Sequence, residues 1–150
     1  MLEPDFRDML RAFTDANVEF LVVGAYAMAG HGLPRATRDL DLWIRPTPQN
    51  ADRALAALQA FGAPPNIATR QDLMNPNMVV QIGVEPLRVD IMMTVSGIEF
   101  DSAYAARIVA VIDDVTMPLL DRAHLLANKR ASARTKDLLD VEWLESHPEP

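Results

Sequence analysis

A single α+β domain, with a small mixed β-sheet and helices packed against it, is what this sequence predicts, and three observations carry the prediction. Short apolar runs with the period of a strand recur near residues 19, 40, 79, 88, 109 and 115. Stretches with the period of a helix stand among them and after them. The chain's 150 residues suffice for one core of ordinary size, so residues 1–150 are read as one domain with C-terminal helices, 119–146, packed on it.

Along the chain, Phe6, Met9, Leu10 and Phe13 fall on one face of a helix from Pro4 to Ala16, with Asp5 and Asp8 near the end where the helix dipole favours negative charge. Val18 to Val23 reads as a strand that stops at Gly24, and Ala25-Tyr26-Ala27-Met28-Ala29 starts a helix there. His31-Gly32-Leu33-Pro34-Arg35 breaks that helix. Asp39 to Ile44 alternates as an extended strand does. Thr47 and Pro48 read as the N-cap and first residue of a helix whose stripe, Ala51, Ala54, Leu55 and Leu58, ends before Gly62. Pro64, Pro65 and Pro76 mark a connecting loop with one helical turn after Thr69.

The runs 78–82 and 87–91 form a hairpin in this reading, and 108–112 with 115–117 form another, joined at Asp113-Asp114. A short helix is expected over 99–106. After Pro118 a helix should carry Leu119, Leu120, Leu125 and Leu126, and Thr135 should cap a last one that carries Leu138, Leu139, Val141 and Trp143.

Chemistry concentrates between Phe20 and Ile44. Successive side chains of a strand point to opposite faces, so Asp39 and Asp41 share one face and Leu40, Leu42 and Ile44 the other. Two adjacent carboxylates raise each other's pKa unless a cation neutralises them. Mg²⁺ or Mn²⁺ would serve, since these ions take oxygen ligands from one or two carboxylates plus phosphates; so would Arg35 or Arg38. Asp90 sits in a strand bound for the core and needs a partner, either Arg88 on the same face or a metal shared with Asp39 and Asp41. A strand, Gly24 and a helix start in succession point free backbone N–H groups at one spot, an arrangement suited to an anion. Arg35 offers its planar fork to phosphate oxygens or to a structural ion pair, Arg38 faces away from Asp39, and His31 anchors the loop. Lys129 to Asp137, KRASARTKD, holds four cations in nine residues, which composition alone reads as a solvated helix end.

Gly24-Ala25, thirteen residues, Asp39-Leu40-Asp41 and the later strand with Asp90 together resemble the nucleotidyltransferases of the DNA polymerase beta type. The string GAYAMAGHG..R.TRDLDLWI looks most like the small bacterial proteins near the AbiEii-type toxins, and Lys129, Arg134, Lys136, Asp137 and Asp140 are similar to that group's C-terminal K…R.KD..D element. The resemblance implies a nucleotidyltransferase-like α+β fold and metal binding (Mg²⁺ or Mn²⁺) by Asp39, Asp41 and Asp90, which would also be the catalytic residues. It further implies nucleotide contacts from Gly24, Ala25, Arg35, Thr37, Lys129 and Lys136. Where that family carries Gly or Ser, this chain has Ala25, which leaves backbone N–H groups as the phosphate donors there.

The implied activity is transfer of a nucleoside monophosphate from a nucleoside triphosphate to an acceptor. A tRNA end or a protein would be the acceptor and a cognate antitoxin a partner if the chain is one half of a toxin–antitoxin pair. The alternative is a catalytically silent nucleotide-binding or partner-binding module of the same fold. A phosphohydrolase is less suited, because no histidine belongs to these motifs. With 21 acidic against 14 basic residues and a net charge of −7, broad duplex DNA binding is not expected. No cysteine is present, no apolar run is long enough for a membrane span, and the start, MLEPDFRDML, lacks the basic-then-apolar order of a signal peptide, so the expectation is a cytoplasmic protein.

Overall fold

The computed structural model describes residues 2–33, 37–83 and 87–148. Strand β1 (Phe20–Val23) pairs antiparallel with β2 (Asp39–Ile44). Beside β2 lies β4 (Arg88–Met92), parallel to it, and beyond that β3 (Val79–Ile82), antiparallel to β4. The hairpin of β5 (Ile108–Ile112) and β6 (Val115–Leu119) completes the sheet, with β6 meeting β1 in parallel at Val22 and Leu119. The order is β3-β4-β2-β1-β6-β5, a mixed sheet built from the six strands expected.

Among the described residues six α-helices cover it: α1 (Pro4–Asp15), α2 (Ala25–Gly30), α3 (Pro48–Phe61), α4 (Phe100–Ala105), α5 (Arg122–Ser132) and α6 (Thr135–Ser146). The stripe Phe6, Met9, Leu10 and Phe13 of α1 joins Ala54 and Leu58 of α3 in one core layer against Val22, Leu40, Leu42, Ile44, Ile91 and Met117. On the other face, Leu21, Val23 and Trp43 pack with Met28, Phe100, Leu125, Val141 and Leu144. Apolar burial of this kind stabilises by roughly 25 cal/mol per Å², so each face of the sheet acts as a platform for its own helix set. Thr47 caps α3 by accepting from the Asn50 N–H, and Gly62 ends it in the left-handed conformation, as its sequence signals indicated. The expected turn after Thr69 is a short 3-10 segment, Asp72–Met74.

Three expectations need correction. β6 continues through Pro118 to Leu119, and the helix after it begins at Arg122, where Asp121 accepts from the His124 N–H. The C-terminal helices therefore start at 122, not 119. Arg134 rather than Thr135 is the N-cap of α6, with the Asp137 carboxylate accepting from the Arg134 N–H. Finally, Leu138 and Leu139 are exposed, because the inward stripe of α6 runs through Asp137, Asp140, Val141 and Leu144, at i, i+3, i+4 and i+7. An apolar-only criterion overlooks such a stripe, since two of its four members are carboxylates.

Candidate active site

Parallel pairing of β2 with β4 sets Asp41 opposite Asp90 and Asp39 opposite Arg88. The acids of two strands separated by almost fifty residues thus share one face and one level of the sheet. Asp90 is 8% exposed, and the Asp41 carboxyl is pushed up to about 6, first by burial and then by the charges of Asp90 and Asp39; Arg88 and Lys136 oppose the shift. Arg88 partly offsets the crowding: its Nη2 donates to Asp90 Oδ2 at 3.3 Å, its Nε stands 3.0 Å from Asp90 Oδ1, and Nη2 is 3.7 Å from Asp39 Oδ2. Of the two partners expected for Asp90, Arg88 pairs with it, and Asp41 lies beside it in the register.

Arg88 does not satisfy the whole group. Asp39 Oδ1 is buried and accepts no hydrogen bond among the described residues, and the contact of buried Asp90 Oδ1 with Arg88 Nε is an ion pair without hydrogen-bond geometry. Among those residues no three His, Cys, Asp or Glu side chains converge into a ready-made metal cage. The donor set nevertheless fits a hard divalent cation: carboxylate oxygens only, Asp39 Oδ1 buried without a hydrogen bond among the described residues, and an Asp41 carboxyl whose ionisation is opposed first by burial and then by the Asp90 and Asp39 charges. A cation there would offset both the burial and the like charges that raise the Asp41 pKa.

The same carboxylate explains Gly24. Val23 pairs with Asp41, so the turn that follows β1 passes directly over the Asp41 side chain. Gly24 adopts φ +70°, and a Cβ at this position would overlap Asp41 Oδ2. Glycine is therefore required twice, for the backbone angle and for the close approach. Gly24 is the N-cap of α2, and Ala25 is its first residue. With only six residues α2 has little macrodipole, so whatever anion affinity arises there rests on individual N–H groups.

A cavity of about 480 Å³ opens at this point, lined by Gly24, Asp41, Met92, Thr94, Lys129 and Arg134 among others. It joins the acid strand to the C-terminal basic element. Lys129 is buried and tied to Asp140 at 2.9 Å and to Asp137 at 3.4 Å. Arg134 donates through Nε to Asp137 Oδ2 at 2.7 Å. Burial alone would raise the Asp137 pKa, but the Arg134 hydrogen bond and the Lys129 and Arg134 charges outweigh it and hold the carboxyl low. Lys129 thus serves as the cation of a buried cluster and lines the cavity as well. Lys136, exposed in the first turn of α6, is near enough to Asp41 to lower its pKa.

Thr37, expected at the nucleotide, closes a local turn: its hydroxyl lies 3.2 Å from both the N and the O of Asp39. Arg35 lies outside the described residues. His31 anchors its loop, as expected, with Nε2 2.8 Å from the Leu120 carbonyl oxygen. Sequence reading missed a second, larger cavity of about 750 Å³, which shares Pro76, Thr94, Val95 and Ser96 with the first and is floored by Trp43, Met93 and Phe100. Trp43 is on the acid face of β2, two residues beyond Asp41, and its buried indole N–H has no acceptor among the described residues. The alternation that revealed Asp39 and Asp41 could have pointed to it, since all three positions have one parity.

The whole chain is similar to the lincosamide antibiotic adenylyltransferase LnuA, solved with lincomycin bound, at 14% identity and a TM-score of 0.63 over 99% of each chain. The fold is that of the nucleotidyltransferases. A presumptive nucleotidyltransferase from Thermotoga maritima shares this fold at 15% identity and a TM-score of 0.55, over 97% of this chain and 94% of the other. No protein-family model and no curated protein sequence matches the chain. Within this fold, Asp41 of β2, the Gly24 turn and the first turn of α6 border one opening, and Asp90 stands beside Asp41 in the sheet register.

Proposed function

We propose that this chain transfers a nucleoside monophosphate from a nucleoside triphosphate to the hydroxyl of a small molecule. The observation that carries this reading is the register of β2 and β4, which sets Asp41 beside Asp90 with Asp39 next to them and the Gly24 backbone against the Asp41 carboxylate. Asp39, Asp41 and Asp90 would hold Mg²⁺ or Mn²⁺, whose chemistry is to neutralise phosphate charge on both the attacking and the leaving side of an in-line displacement.

The chain's own groups do the rest. The N–H groups that follow Gly24 hydrogen-bond the triphosphate, with backbone donors sufficing where Ala25 brings no hydroxyl. Lys136, and Arg134 from its mount on Asp137, supply positive charge where negative charge develops on the leaving pyrophosphate. Asp90 Oδ1, buried and in ion-pair contact with Arg88 Nε at 3.0 Å, accepts the proton of the acceptor hydroxyl. The acceptor oxygen then bonds to the α-phosphorus, the bond to the bridging oxygen breaks, and pyrophosphate leaves.

The second cavity is the natural seat of the acceptor. Its 750 Å³ suits a drug-sized molecule, it adjoins the acid cavity, and its Trp43 N–H awaits an acceptor atom. LnuA, with lincomycin bound, is an example of this fold with a small acceptor. A tRNA end, the acceptor of the AbiEii-type toxin reading with its cognate antitoxin, is less well supported. Lys129 and Arg134 are held by Asp137, Arg130 is paired with Glu145 at 3.0 Å, and the net charge is −7, which leaves little basic surface for an RNA backbone.

Calorimetric titration with ATP, GTP, CTP and UTP, with and without Mg²⁺ or Mn²⁺, tests the reading. Metal-dependent binding of at least one triphosphate is expected, and its loss in Asp39→Asn/Asp41→Asn. Silence toward every nucleotide under both metals would defeat it. Transfer of labelled nucleotide to lincomycin or to tRNA then separates the two acceptor classes, and binding without any transfer would favour the silent module that Ala25 suggests.

A further inference from the structure

Strand β5 is an edge of the sheet, three strands away from β2, and it lacks what usually protects an edge. Ile108, Val109, Ala110, Val111 and Ile112 contain no lysine, no proline and no charge, and Ile108, Val109 and Val111 are 37%, 58% and 70% exposed. Among the described residues, no strand pairs with its backbone groups on the side away from β6. Such an edge is a template for pairing with another chain. At the opposite edge, β3 interrupts its apolar residues with Gln81 and alternates exposed and buried positions.

What the edge best fits is stated by its sequence, because Ile-Val-Ala-Val-Ile reads the same in both directions. If two copies of β5 pair antiparallel about Ala110, Ile108 stands opposite Ile112, Val109 opposite Val111, and Ala110 opposite itself. Every cross-strand pair is then like with like in shape, and β-branched pairs of this kind stabilise a ladder. The ends agree. Arg107 precedes the strand and Asp113-Asp114 follow it, so antiparallel pairing brings the positive end of one copy to the negative end of the other, twice. Parallel pairing would set like charges together. Asp113 Oδ2 accepts from the Leu2 N–H at 2.8 Å, and Arg107 donates from Nη1 to the Tyr104 carbonyl at 2.8 Å, so both charges are held near the strand ends with further donor and acceptor sites remaining.

We propose that two copies of this chain associate through β5 about a two-fold axis at Ala110, extending the two sheets into one. An interface of this symmetry is self-complementary, as the palindrome requires. Asp39, Asp41 and Asp90 stay clear of it, since β1 and β6 separate β2 from β5.

Sedimentation velocity on the full chain tests this directly. Wild type is expected at twice the 16.6 kDa of one chain, and Val109→Lys/Val111→Lys at the mass of one, because that variant faces lysine with lysine across the axis. Both positions are exposed, so the folded monomer should persist by circular dichroism. The chain has no cysteine of its own, so Ala110→Cys reads the register: mild oxidation should give a covalent dimer, and the control Val79→Cys on β3 should not. A wild type that sediments as a monomer, a dimer indifferent to the two lysines, or a dimer in which Ala110→Cys fails to cross-link would overturn the proposal. The first of these would leave the edge to a different protein.

Discussion

Gly24 bears two demands at one atom, a left-handed backbone and the carboxylate of Asp41 lying where its side chain would be. Residues in such positions persist because the surroundings hold them, at a cost of about 1–3 kcal/mol when the residue is wrong. Gly24→Ala should lose that much stability in urea denaturation. Because the added methyl displaces Asp41, it should also weaken metal-dependent nucleotide binding more than the stability loss explains; unchanged binding would separate the turn from the site. The aspartates were legible from sequence because strand alternation is a local rule. The pairing of Arg88 with both Asp90 and Asp39 was only half legible. Asp90 is on its own strand, but Asp39 comes within reach through the register of β2 against β4, which neither strand's sequence states.

Helix α6 shows how an element can be found and still be misread. Its place in the chain was legible to within a residue, yet its inward face is half carboxylate. Asp137 and Asp140 are buried against Lys129 of α5. Lys129→Met should cost about 3–5 kcal/mol, seen as a lowered urea midpoint, because buried Asp140 loses its ammonium partner at 2.9 Å while Asp137 keeps Arg134. Lys136→Ala, on the exposed side of the same segment, should stay within about 0.5 kcal/mol of the parent and instead weaken triphosphate binding. Equal effects of the two lysines on stability would contradict this division. Sequence grouped them as one basic patch, since only packing between α5 and α6 distinguishes a buried lysine from an exposed one.

For the whole molecule, the acid cluster sets a pH dependence. Asp41 has a folded pKa of about 6, against roughly 3.9 for an unperturbed aspartate. Between those values the folded chain holds a proton that the unfolded chain has released, so this group makes stability fall as pH rises through the window. Relative to Asp41→Asn, the metal-free wild type should be on the order of 2 kcal/mol less stable above the window and nearly level below it. Denaturation of the two proteins on either side of the window measures the difference, and parallel pH profiles would refute it. The sheet's six strands were legible as segments. Their order was not, because the neighbour relations among β1, β2, β4 and β6 join residues far apart in the chain.

The parallel contact of β6 with β1 has a kinetic consequence. It is centred on Val22 and Leu119 and sits beside Pro118, which brings no N–H to an inner strand. The β5–β6 and β3–β4 hairpins close short loops, whereas this seam must bring together segments nearly a hundred residues apart and yields few backbone bonds in return. Assembly should therefore proceed from two preformed parts, β1 to β4 with α1 and α3 on one side and the β5–β6 hairpin on the other. Their docking along the seam would be the slow, late step of folding.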